Sequence, residues 1–495
     1  MALDAMVDSY DKDKVAKELL DCRRKFILQS GAGFATLPLA SMLGRDGFFN
    51  SGVNASESMI ASKTSKKPHF SKKAKHCVFL FMNGAPSQVD TFDHKPALDK
   101  YHGKPYSGKT KVGSNGRAIG YLMRSPFEFN RHGKSGLEIS SLFPNTALHA
   151  DDLCVLKALY TDTAAHSSGC LQMNTGSPLT GKPSLGSWLT YGLGSLNESL
   201  PSYVVMTDPR GGPIGGAPNW GNGYMPAKYQ GTLFRNGGAP LLDLSNPSGV
   251  NERAQRNALD FLNELNQQHL QNHGSESDLH ARINNYELAY RMQTSATEVV
   301  DIDKESPSIK NMYGLNNPVT ADFGRKCLVT RRLIEKGVRF IQLYSGGGHI
   351  ESTWDGHNDC ITNHKTHAAE TDQPIAALMT DLKQRGLWDD TLLIWGGEFG
   401  RTPTSEGINK PGRDHNWLGF TMWLAGGGVK GGQVIGETDE LGFEGVHERY
   451  HVSDLHATIL HLMGFDHRHL TYFYYGLDQK LTGTLDRKII TKAIS

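Results

Sequence analysis

DTLLIWGGEFGRTP, residues 390–403, is the segment that best predicts how this sequence folds. Its apolar run, Leu392–Trp395, is typical of a strand that is buried in a parallel sheet. Glycines follow the run and let the backbone turn, which leaves Glu398 and Arg401 at the carboxyl end of the strand. Ligands bind at that edge in open α/β sheets. The segment therefore predicts an α/β fold and the position of a functional site.

A second group of polar residues comes after a polar loop. The motif GRDH, residues 412–415, adds the cation Arg413 and the neighbouring side chains Asp414 and His415. Carboxylates and imidazoles are common metal ligands in proteins. We expect this motif to return to the sheet edge that carries Glu398.

Apolar runs of strand length recur along the chain. They occupy residues 76–82, 153–159, 203–206, 338–344 and 419–425. Helical patterns occupy residues 142–150, 183–195, 252–295, 321–336, 366–385 and 452–463. The pattern at 252–295 breaks near Gly274, which predicts two helices there. Alternating strands and helices are typical of an α/β domain.

The composition is that of a soluble globular protein and gives no support to several classes of function. The 495 residues suffice for one large α/β domain with insertions or for two domains. Because 52 basic residues nearly balance 51 acidic ones, the net charge is +1, which does not indicate nucleic-acid binding. The 6 cysteines form no C-x-x-C pair, so the sequence supports neither a zinc ribbon nor a thioredoxin-like site.

The amino-terminal residues resemble an export signal. Arg23 and Arg24 precede a segment, Phe26–Gly44, that contains no charged residue. This pattern predicts export by the twin-arginine route, with residues 1–45 as the signal and the periplasm or cell surface as the destination. A buried helix or a membrane anchor is the alternative interpretation. No clean A-x-A cleavage site follows, so an uncleaved signal anchor stays open; we predict no other stable membrane span.

The remaining chain divides by composition. Residues 46–75 are rich in Ser, Lys, Asn and Gly and are predicted to be a linker. We predict one domain over residues 76–495, with insertions around 94–136 and 208–300. The second insertion contains the aromatic residues Trp220, Tyr224 and Tyr229. These rings either line the rim of a substrate site or only pin the loop down.

Polar side chains follow two of the predicted strands directly. After the first strand, the segment NGAPSQVDTFD, residues 83–93, supplies Asn83 and Asp90. Such residues are candidates for a site, although an aspartate there also serves as a helix cap or turn former. After the second strand, a polar turn leads to His166 and Ser167 at the start of a helix, where free N–H groups favour a developing anion.

A short motif follows the strand at 338–344. Asp355 and His357 lie two residues apart in a Gly-rich loop and can together ligate one cation. The D-x-H pattern alone is a weak signal. We therefore interpret it together with the other polar groups at the sheet edge.

With these segments in place, the chain resembles the alkaline phosphatase/sulfatase superfamily and, more closely, an exported sulfatase-like family known as domain of unknown function 1501. The resemblance rests on the twin-arginine start, NGAPSQVDTFD, HSSGCLQMNTG, PSLGSWLTYGLG, RRLIEKGVRFIQLY, WDGH, DDTLLIWGGEFGRTP, GRDHNWLG and LAGGGVKGGQVIGETD. These segments span most of residues 76–475. The resemblance implies an alkaline-phosphatase-like three-layer sandwich, in which helices flank a mostly parallel central sheet and metals bind at its carboxyl edge.

The sequence departs from the sulfatases at the nucleophile. Their nucleophile opens a segment C-x-P-S-R-A-A-L-L-T-G. Aligning Thr175-Gly176 with its T-G places His166 at the nucleophile position. Formylglycine cannot form there, so the resemblance implies His166 and Ser167 as catalytic residues, with His166 as general base or nucleophile. Arg401 is expected to neutralise charge on the transferring group.

The resemblance also implies an altered metal site. Where phosphatases have Asp-His-Gly, this chain has Glu398-Phe399-Gly400 and lacks one His ligand. The expected ligands of one divalent ion are Asp90, Asp355, His357, Glu398, Asp414 and His415. Mixed oxygen and nitrogen ligands suit Zn²⁺, Mn²⁺, Ca²⁺ or Mg²⁺. We expect Asn83 and Arg413 to bind the substrate.

Two functions are consistent with these residues. The first is an exported, metal-dependent hydrolase of sulfate or phosphate esters, acting on a small-molecule or polysaccharide ester. The second is a non-catalytic superfamily member that binds an anionic polysaccharide or a surface partner, since the usual nucleophile and one His ligand are missing. A third reading assigns the ligands to structural calcium only.

Overall fold

The computed structural model describes residues 66–106, 120–235, 246, 249–273, 277–407 and 410–495. The predicted export signal and most of the predicted linker lie outside the described residues and stay predictions. The chain divides into two units: residues 1–61 with 239–294, and residues 62–238 with 295–495.

The strands and helices are numbered in chain order. The strands are β1 His76–Met82, β2 Tyr121–Leu122, β3 Phe129–His132, β4 Leu137–Ser140, β5 Cys154–Tyr160, β6 Tyr203–Met206, β7 Thr232–Phe234, β8 Phe340–Ser345, β9 Thr391–Gly396, β10 Gly400–Gly407, β11 Lys410–Asn416, β12 Phe420–Gly426, β13 Gln433–Ile435, β14 Glu437–Thr438, β15 Gly445–His447, β16 Tyr450–His451, β17 Tyr472–Tyr474 and β18 Leu477–Gln479. The helices are α1 Gln88–Thr91, α2 Ala97–Tyr101, α3 His166–Thr175, α4 Leu185–Leu193, α5 Glu252–His273, α6 Ser277–Val300, α7 Pro307–Met312, α8 Ala321–Glu335, α9 Cys360–Gln384 and α10 Val452–Leu462.

A 9-stranded sheet forms the centre of the larger unit. Its order is β13-β5-β12-β9-β1-β8-β6-β7, and β16 also pairs with β5. β1 is parallel to both neighbours, so that Phe79 lies opposite Gln342 on one side and Ile394 on the other. Within the described sheet, β12 alone runs against its neighbours, β9 and β5. The predicted α/β fold with a mostly parallel sheet is confirmed.

The central strands are apolar because they are covered on both faces. Every residue of β1 is buried. Phe79 and Phe81 share a hydrophobic core with residues of α3, α4 and α10. Since successive side chains of a strand point to opposite faces, Val78 and Leu80 face the other layer. On that side α8 contacts β8 and packs against α9.

Two local predictions were wrong. Residues 142–150 were predicted to be a helix, but a 3-10 helix covers Thr146–Asp152 and loses helical geometry at His149. The segment predicted as a polar loop before GRDH forms the antiparallel pair β10 and β11, in which Arg401 lies opposite His415. These two strands are polar because they pair with each other and with β2, in a small sheet apart from the central one.

The smaller unit consists of helices in its described part. α5 ends at His273 and α6 begins at Ser277, which confirms the two helices predicted to break near Gly274. Arg256 of α5 joins them, because its Nη2 lies 2.6 Å from Oε1 of Glu287 in α6. Its guanidinium also lies 4.9 Å from the ring centre of Tyr290.

The cysteines that the structure describes are reduced and buried. They are Cys77, Cys154, Cys170, Cys327 and Cys360. Each exposes 1% of its surface or less. Among the described helices, we find none with the length and apolar character that crossing a membrane requires.

Candidate metal centre

The carboxyl edge of the central sheet gathers polar residues from distant parts of the chain. Glu398 follows β9, and Asp355 lies in the loop after β8. β5 leads through a short turn to α3, so His166 is the first residue of that helix. The β10–β11 pair adds His415 beside Arg401. The edge predicted to hold a site thus holds most of the predicted residues.

Four side chains converge there, and we call them the donor cluster: His166, Asp355, His357 and His415. Each offers one ligand atom, and these atoms all lie within 4.8 Å of one another. Oδ2 of Asp355 lies 3.1 Å from Nε2 of His166. Oδ1 of Asp355 lies 3.5 Å from Nε2 of His357 and 4.0 Å from Nε2 of His415. The Nε2 atoms of His357 and His415 are 2.8 Å apart.

A backbone carbonyl sets the tautomer of His415. Nδ1 of His415 lies 2.5 Å from the carbonyl oxygen of Ala164. A carbonyl only accepts hydrogen bonds, so Nδ1 donates and Nε2 keeps its lone pair. Burial, and then the charge of Arg401, lowers the pKa of His415 far below its ordinary value, so the ring is neutral. A neutral imidazole with its Nε2 lone pair facing other donors is the form that binds a metal.

A carboxylate orients His166. Nδ1 of His166 lies 2.5 Å from Oε1 of Glu398. The backbone N–H of Gly84 donates to both oxygens of the fully buried Glu398 carboxylate, at 3.0 and 3.2 Å. A carboxylate behind a ligand histidine holds the ring in place and makes its other nitrogen a stronger ligand. Glu398, predicted to be a ligand, lies outside the donor cluster and orients one of its members.

The donor cluster lies in a field of opposite charges. Burial raises the pKa of Asp355. The charge of Arg401, whose Nη1 is 2.7 Å away, and the contact with His166 lower that pKa by a larger amount, so this carboxylate is ionised. Burial lowers the pKa of His166, but Asp355 and Glu398 together outweigh it and raise that pKa. A proton on His166 or a metal cation among the donors would therefore have the same electrostatic effect, because either one would partly neutralise the charge of Asp355 and Glu398.

The donor atoms fit a metal of intermediate softness. Three imidazole nitrogens and one carboxylate oxygen suit Zn²⁺ or Mn²⁺ better than Ca²⁺ or Mg²⁺, which prefer oxygen ligands. Nε2 of His166 is buried and makes no hydrogen bond, although Asp355 is close, so it is available as a ligand. The side chain of His357 is 24% exposed, which opens the donor cluster to solvent on that side.

Asp90 and Arg413 contact each other and lie outside the donor cluster. Nε of Arg413 donates to Oδ2 of Asp90 at 2.7 Å, and Nη2 donates to Oδ1 at 3.0 Å. Ser87 Oγ donates to Oδ2 at 2.6 Å. Asp90 is 1% exposed and Arg413 is 0% exposed. The roles predicted for them, ligand and substrate-binding residue, are corrected because this buried pair uses both carboxylate oxygens and two guanidinium nitrogens.

Arg401 is also turned inward. It is fully buried. Its Nε donates to the carbonyl of Ala85 at 3.0 Å, and its Nη2 donates to the carbonyl of Gly84. Its Nη1 contacts Asp355. The predicted catalytic role is corrected to a positioning one, because these contacts hold Asp355 and the loop after β1 and leave the guanidinium no open face for a substrate.

Asn83 joins three loops and was predicted to bind substrate. Its Oδ1 accepts a hydrogen bond from the N–H of Ile214 at 3.1 Å, and its Nδ2 donates to the carbonyl of Gly346 at 3.2 Å. The side chain is 0% exposed. Asn83 therefore fixes the loops that follow β1, β6 and β8, and its burial keeps it from a substrate.

Two further predicted residues lie next to the donor cluster. Ser167 follows His166 in the first turn of α3 and is exposed. Oδ1 of Asp414 accepts a hydrogen bond from the N–H of His415 at 2.7 Å and lies 3.9 Å from Nε2 of His357. Asp414 thus borders the donor cluster without belonging to it, and Ser167 faces solvent beside it.

Two glycines shape the site, and the sequence analysis did not assign them this role. A Cβ on Gly84, whose φ is +104°, would lie 2.6 Å from the backbone nitrogen of Asp355. A Cβ on Gly412 would lie 1.5 Å from the carbonyl oxygen of His357. Both let another segment approach a ligand closely. They stand in the motifs NGAPS and GRDH, but nothing distinguishes them among 55 glycines.

A family model confirms the resemblance to domain of unknown function 1501. The model described as "Protein of unknown function (DUF1501)" matches residues 74–494. The match covers most of the chain, so the protein belongs to this family. A search of curated proteins found no match.

Solved structures that are similar to this chain share little sequence identity with it. A protein in the alkaline phosphatase superfamily from Vibrio parahaemolyticus is 11% identical, with a TM-score of 0.34 and coverage of 94% of this chain and 81% of that one. The PsFucS1 sulfatase from Pseudoalteromonas sp. is 12% identical, with a TM-score of 0.34 and coverage of 95% and 77%. The lipoteichoic acid synthase LtaP from Listeria monocytogenes is 11% identical, with a TM-score of 0.34 and coverage of 84% and 76%.

Proposed function

We propose that this member of the DUF1501 family is a metal-dependent hydrolase of sulfate or phosphate esters. One observation carries the proposal. Three imidazole rings and one carboxylate bring their ligand atoms within 4.8 Å of one another at the carboxyl edge of the sheet. Hydrogen bonds from the outside fix two of these rings, His166 and His415, so that their Nε2 atoms face the other donors.

The chain's own residues prepare the site for an anionic ester. A divalent ion bound by the donor cluster would supply Lewis acidity toward a phosphoryl or sulfuryl oxygen and would acidify water. Arg401 offsets part of the charge of Asp355 and so limits repulsion of an anionic substrate. Glu398 holds His166 in orientation. The exposed side of His357 leaves room for the ester to approach.

The nucleophile is proposed to differ from the one first expected. Nδ1 of His166 donates to Glu398, and its buried Nε2 faces the other donors, so a metal bound there would occupy the lone pair that His166 would need to attack a substrate. We therefore assign His166 to metal binding. Ser167 is exposed in the first turn of α3, where helix N–H groups favour negative charge, and it is the candidate protein nucleophile beside water.

Elemental analysis of the purified protein tests the proposal. We expect close to one equivalent of zinc or manganese, with most of it lost in His357→Ala. His94→Gln removes a histidine outside the donor cluster and should keep the metal. Turnover of 4-nitrophenyl sulfate, 4-nitrophenyl phosphate or a phosphonate monoester should depend on that metal. Folded protein without metal would contradict the proposal; metal without turnover would favour a binding protein.

We also propose export by the twin-arginine route to the periplasm or cell surface. The motivation is the pair Arg23 and Arg24 ahead of the uncharged segment Phe26–Gly44. Replacing both arginines with lysine should retain the protein in the cytoplasm, whereas replacing Lys25 with arginine should not. Export of the double-lysine variant at the normal rate would exclude this route.

A further inference from the structure

A second group of side chains with recognisable chemistry lies away from the donor cluster. It surrounds the β17–β18 hairpin, and we call it the tyrosine surface. Its members are Tyr191, Tyr224, Tyr229, Tyr472, Tyr474 and Tyr475, with Lys66, Lys182 and Lys228. Tyr224 and Tyr229 belong to the loop for which the sequence left two roles open.

The rings form a continuous layer. Tyr224 stacks on Tyr474 at 4.8 Å and on Tyr472 at 6.0 Å between ring centres. Tyr191 meets Tyr472 edge to face at 5.4 Å and meets Tyr229 in the same way at 5.5 Å. Stacked and edge-to-face contacts of this kind fix aromatic rings with little residual freedom. The layer is therefore preorganised.

Three lysines contact the layer through their ammonium groups. Nζ of Lys66 lies 4.7 Å from the ring centre of Tyr191. Nζ of Lys182 lies 5.4 Å from that of Tyr224, and Nζ of Lys228 lies 5.0 Å from that of Tyr229.

The acidic residue of the hairpin points away from the layer. Asp478 pairs with Phe473 across the hairpin. The alternation of strand side chains therefore places both on the face opposite Tyr472 and Tyr474. The tyrosine surface thus combines aromatic rings with lysines and suits a partner that is both flat and anionic.

Tyr475 occupies a costly conformation. It forms the two-residue turn of the hairpin with Gly476, and both residues have positive φ, +49° and +77°. Turns of this type favour Asn-Gly, because a bulky side chain is strained in the left-handed region. Tyr475 is nevertheless 86% exposed, and its recorded ring contact is with Tyr474 at 4.4 Å. A strained and exposed aromatic residue is better explained by binding than by folding.

One loop connects the tyrosine surface to the donor cluster. At one end, the backbone at Gly215 approaches Ser167, beside His166. At the other end, Gly223 packs on the backbone of Lys182. α3 runs in the same interval and has 10 residues, which corresponds to about 15 Å. One loop and one helix thus link the two sites along the chain.

We propose that the tyrosine surface binds a sulfated or otherwise anionic polysaccharide and holds the polymer near the donor cluster. Sugar rings present flat C–H faces that stack on tyrosine, while sulfate or carboxylate groups pair with lysine. A single-stranded nucleic acid would use similar stacking, but proteins that bind it carry a marked basic excess, and here the net charge is +1. That the bound polymer is also the substrate rests on the proposed function.

Binding of dextran sulfate to the full chain tests the surface. Isothermal titration is run with wild type, Tyr475→Asn and Phe473→Thr, with unsulfated dextran and polyacrylate as comparison ligands. Asn suits the turn better than Tyr, so a loss in Tyr475→Asn cannot be assigned to misfolding; thermal unfolding should show equal or higher stability. We expect Tyr475→Asn to weaken dextran sulfate binding about tenfold. Phe473→Thr, on the opposite face, should bind as wild type does.

The outcomes distinguish a sulfated polysaccharide from the other possible ligands of the tyrosine surface. Equal binding of polyacrylate and dextran sulfate would overturn the proposal, because charge alone would explain it. So would unchanged binding by Tyr475→Asn, tighter binding of oligo-dT, or a dimer of wild type that Tyr475→Asn dissolves. Binding of dextran sulfate without hydrolysis of any ester would support this surface and contradict the proposed function. Ester hydrolysis without such binding would do the reverse.

Discussion

Two groups of polar side chains lie near the same edge of the central sheet. The imidazole N–H groups of one point out of the group, whereas the imidazole N–H of the other points into it. In the donor cluster, Nδ1 of His166 donates a hydrogen bond to Glu398 and Nδ1 of His415 donates one to the carbonyl of Ala164, so the Nε2 atoms of both rings face inward. The other group contains Asp90, His364 and Cys360, the residue types of a cysteine hydrolase. Its Asp90 already accepts hydrogen bonds from Arg413.

His364 carries its hydrogen on the nitrogen that faces Cys360, so it cannot act as a base toward that thiol. Nε2 of His364 accepts a hydrogen bond from the N–H of Ser87 at 2.8 Å. The neutral ring therefore carries its hydrogen on Nδ1, which lies 3.3 Å from Sγ of Cys360. Burial raises the pKa of the Cys360 thiol and lowers the pKa of His364 to about 3. Residue types alone do not make a site; the direction of the hydrogen bonds does.

The largest expected effect is on the stability of the second group. Asp90→Ala leaves Arg413 buried without its partner and should lower the free energy of unfolding by about 3–5 kcal/mol. Chemical denaturation measures this loss, and bound metal per folded protein should stay unchanged. The double variant Asp90→Leu with Arg413→Met removes both charges and should recover most of the stability. A loss of metal in either folded variant would mean that the two groups are not separate.

Substitution of a donor-cluster residue should lower activity strongly and change stability little. His357→Ala removes a ligand that is 24% exposed, so the unfolding free energy should change by less than about 1 kcal/mol. Ester hydrolysis should fall roughly 10³-fold, since the Lewis acid supplies several kcal/mol of transition-state stabilisation. Steady-state kinetics with added zinc or manganese measure the effect. Wild-type turnover in this variant would remove His357 from the site.

An outer partner should have an intermediate effect. Glu398→Gln keeps an acceptor for Gly84 but weakens the charged hydrogen bond to Nδ1 of His166. Metal affinity should fall about 10- to 100-fold, as is usual when such a partner is replaced. Competition with a chelator of known affinity measures it. Glu370→Gln, which alters a surface ion pair with Arg210, is the matched control. Equal affinities in the two variants would refute the orienting role.

The smallest effect, taken per pH unit, is a pH dependence of stability to which the second group contributes through His364. The pKa of His364 is lowered to about 3 by burial, so the unfolded chain takes up a proton below pH about 6.5 and the folded chain does not. This histidine therefore destabilises the fold as pH falls from about 6.5 toward 3, by about 1.4 kcal/mol per pH unit. His364→Gln should lose less stability than wild type between pH 6 and pH 4. Parallel pH profiles of the unfolding midpoint would contradict this.

The same comparison explains how far the sequence predicts this molecule. Central strands such as β1 and β9 were predictable because cover on both faces requires continuous apolar runs. β10 and β11 were not, because their polar residues pair with each other outside the central sheet.

For the site, strand ends predicted the edge at which the donor cluster lies, with Asp355, His357 and His415 as ligands and His166 as a catalytic residue. They could not show where each side chain points. Asp90 and Arg413 are 323 residues apart, and no local pattern reveals that they pair. Nor does any side chain mark the carbonyl of Ala164 as the acceptor that sets the tautomer of His415, since every residue has a carbonyl.

The buried cysteines give the folded chain a built-in chemical reporter. A thiol reacts as its thiolate, and burial raises the pKa of these cysteines; that of Cys154 rises to about 12. The thiols at Cys77, Cys170 and Cys327 are therefore protected both by exclusion of the reagent and by suppression of the reactive form. Labelling of each one then measures how often its part of the sheet or of the covering helices opens, residue by residue, without any probe being introduced.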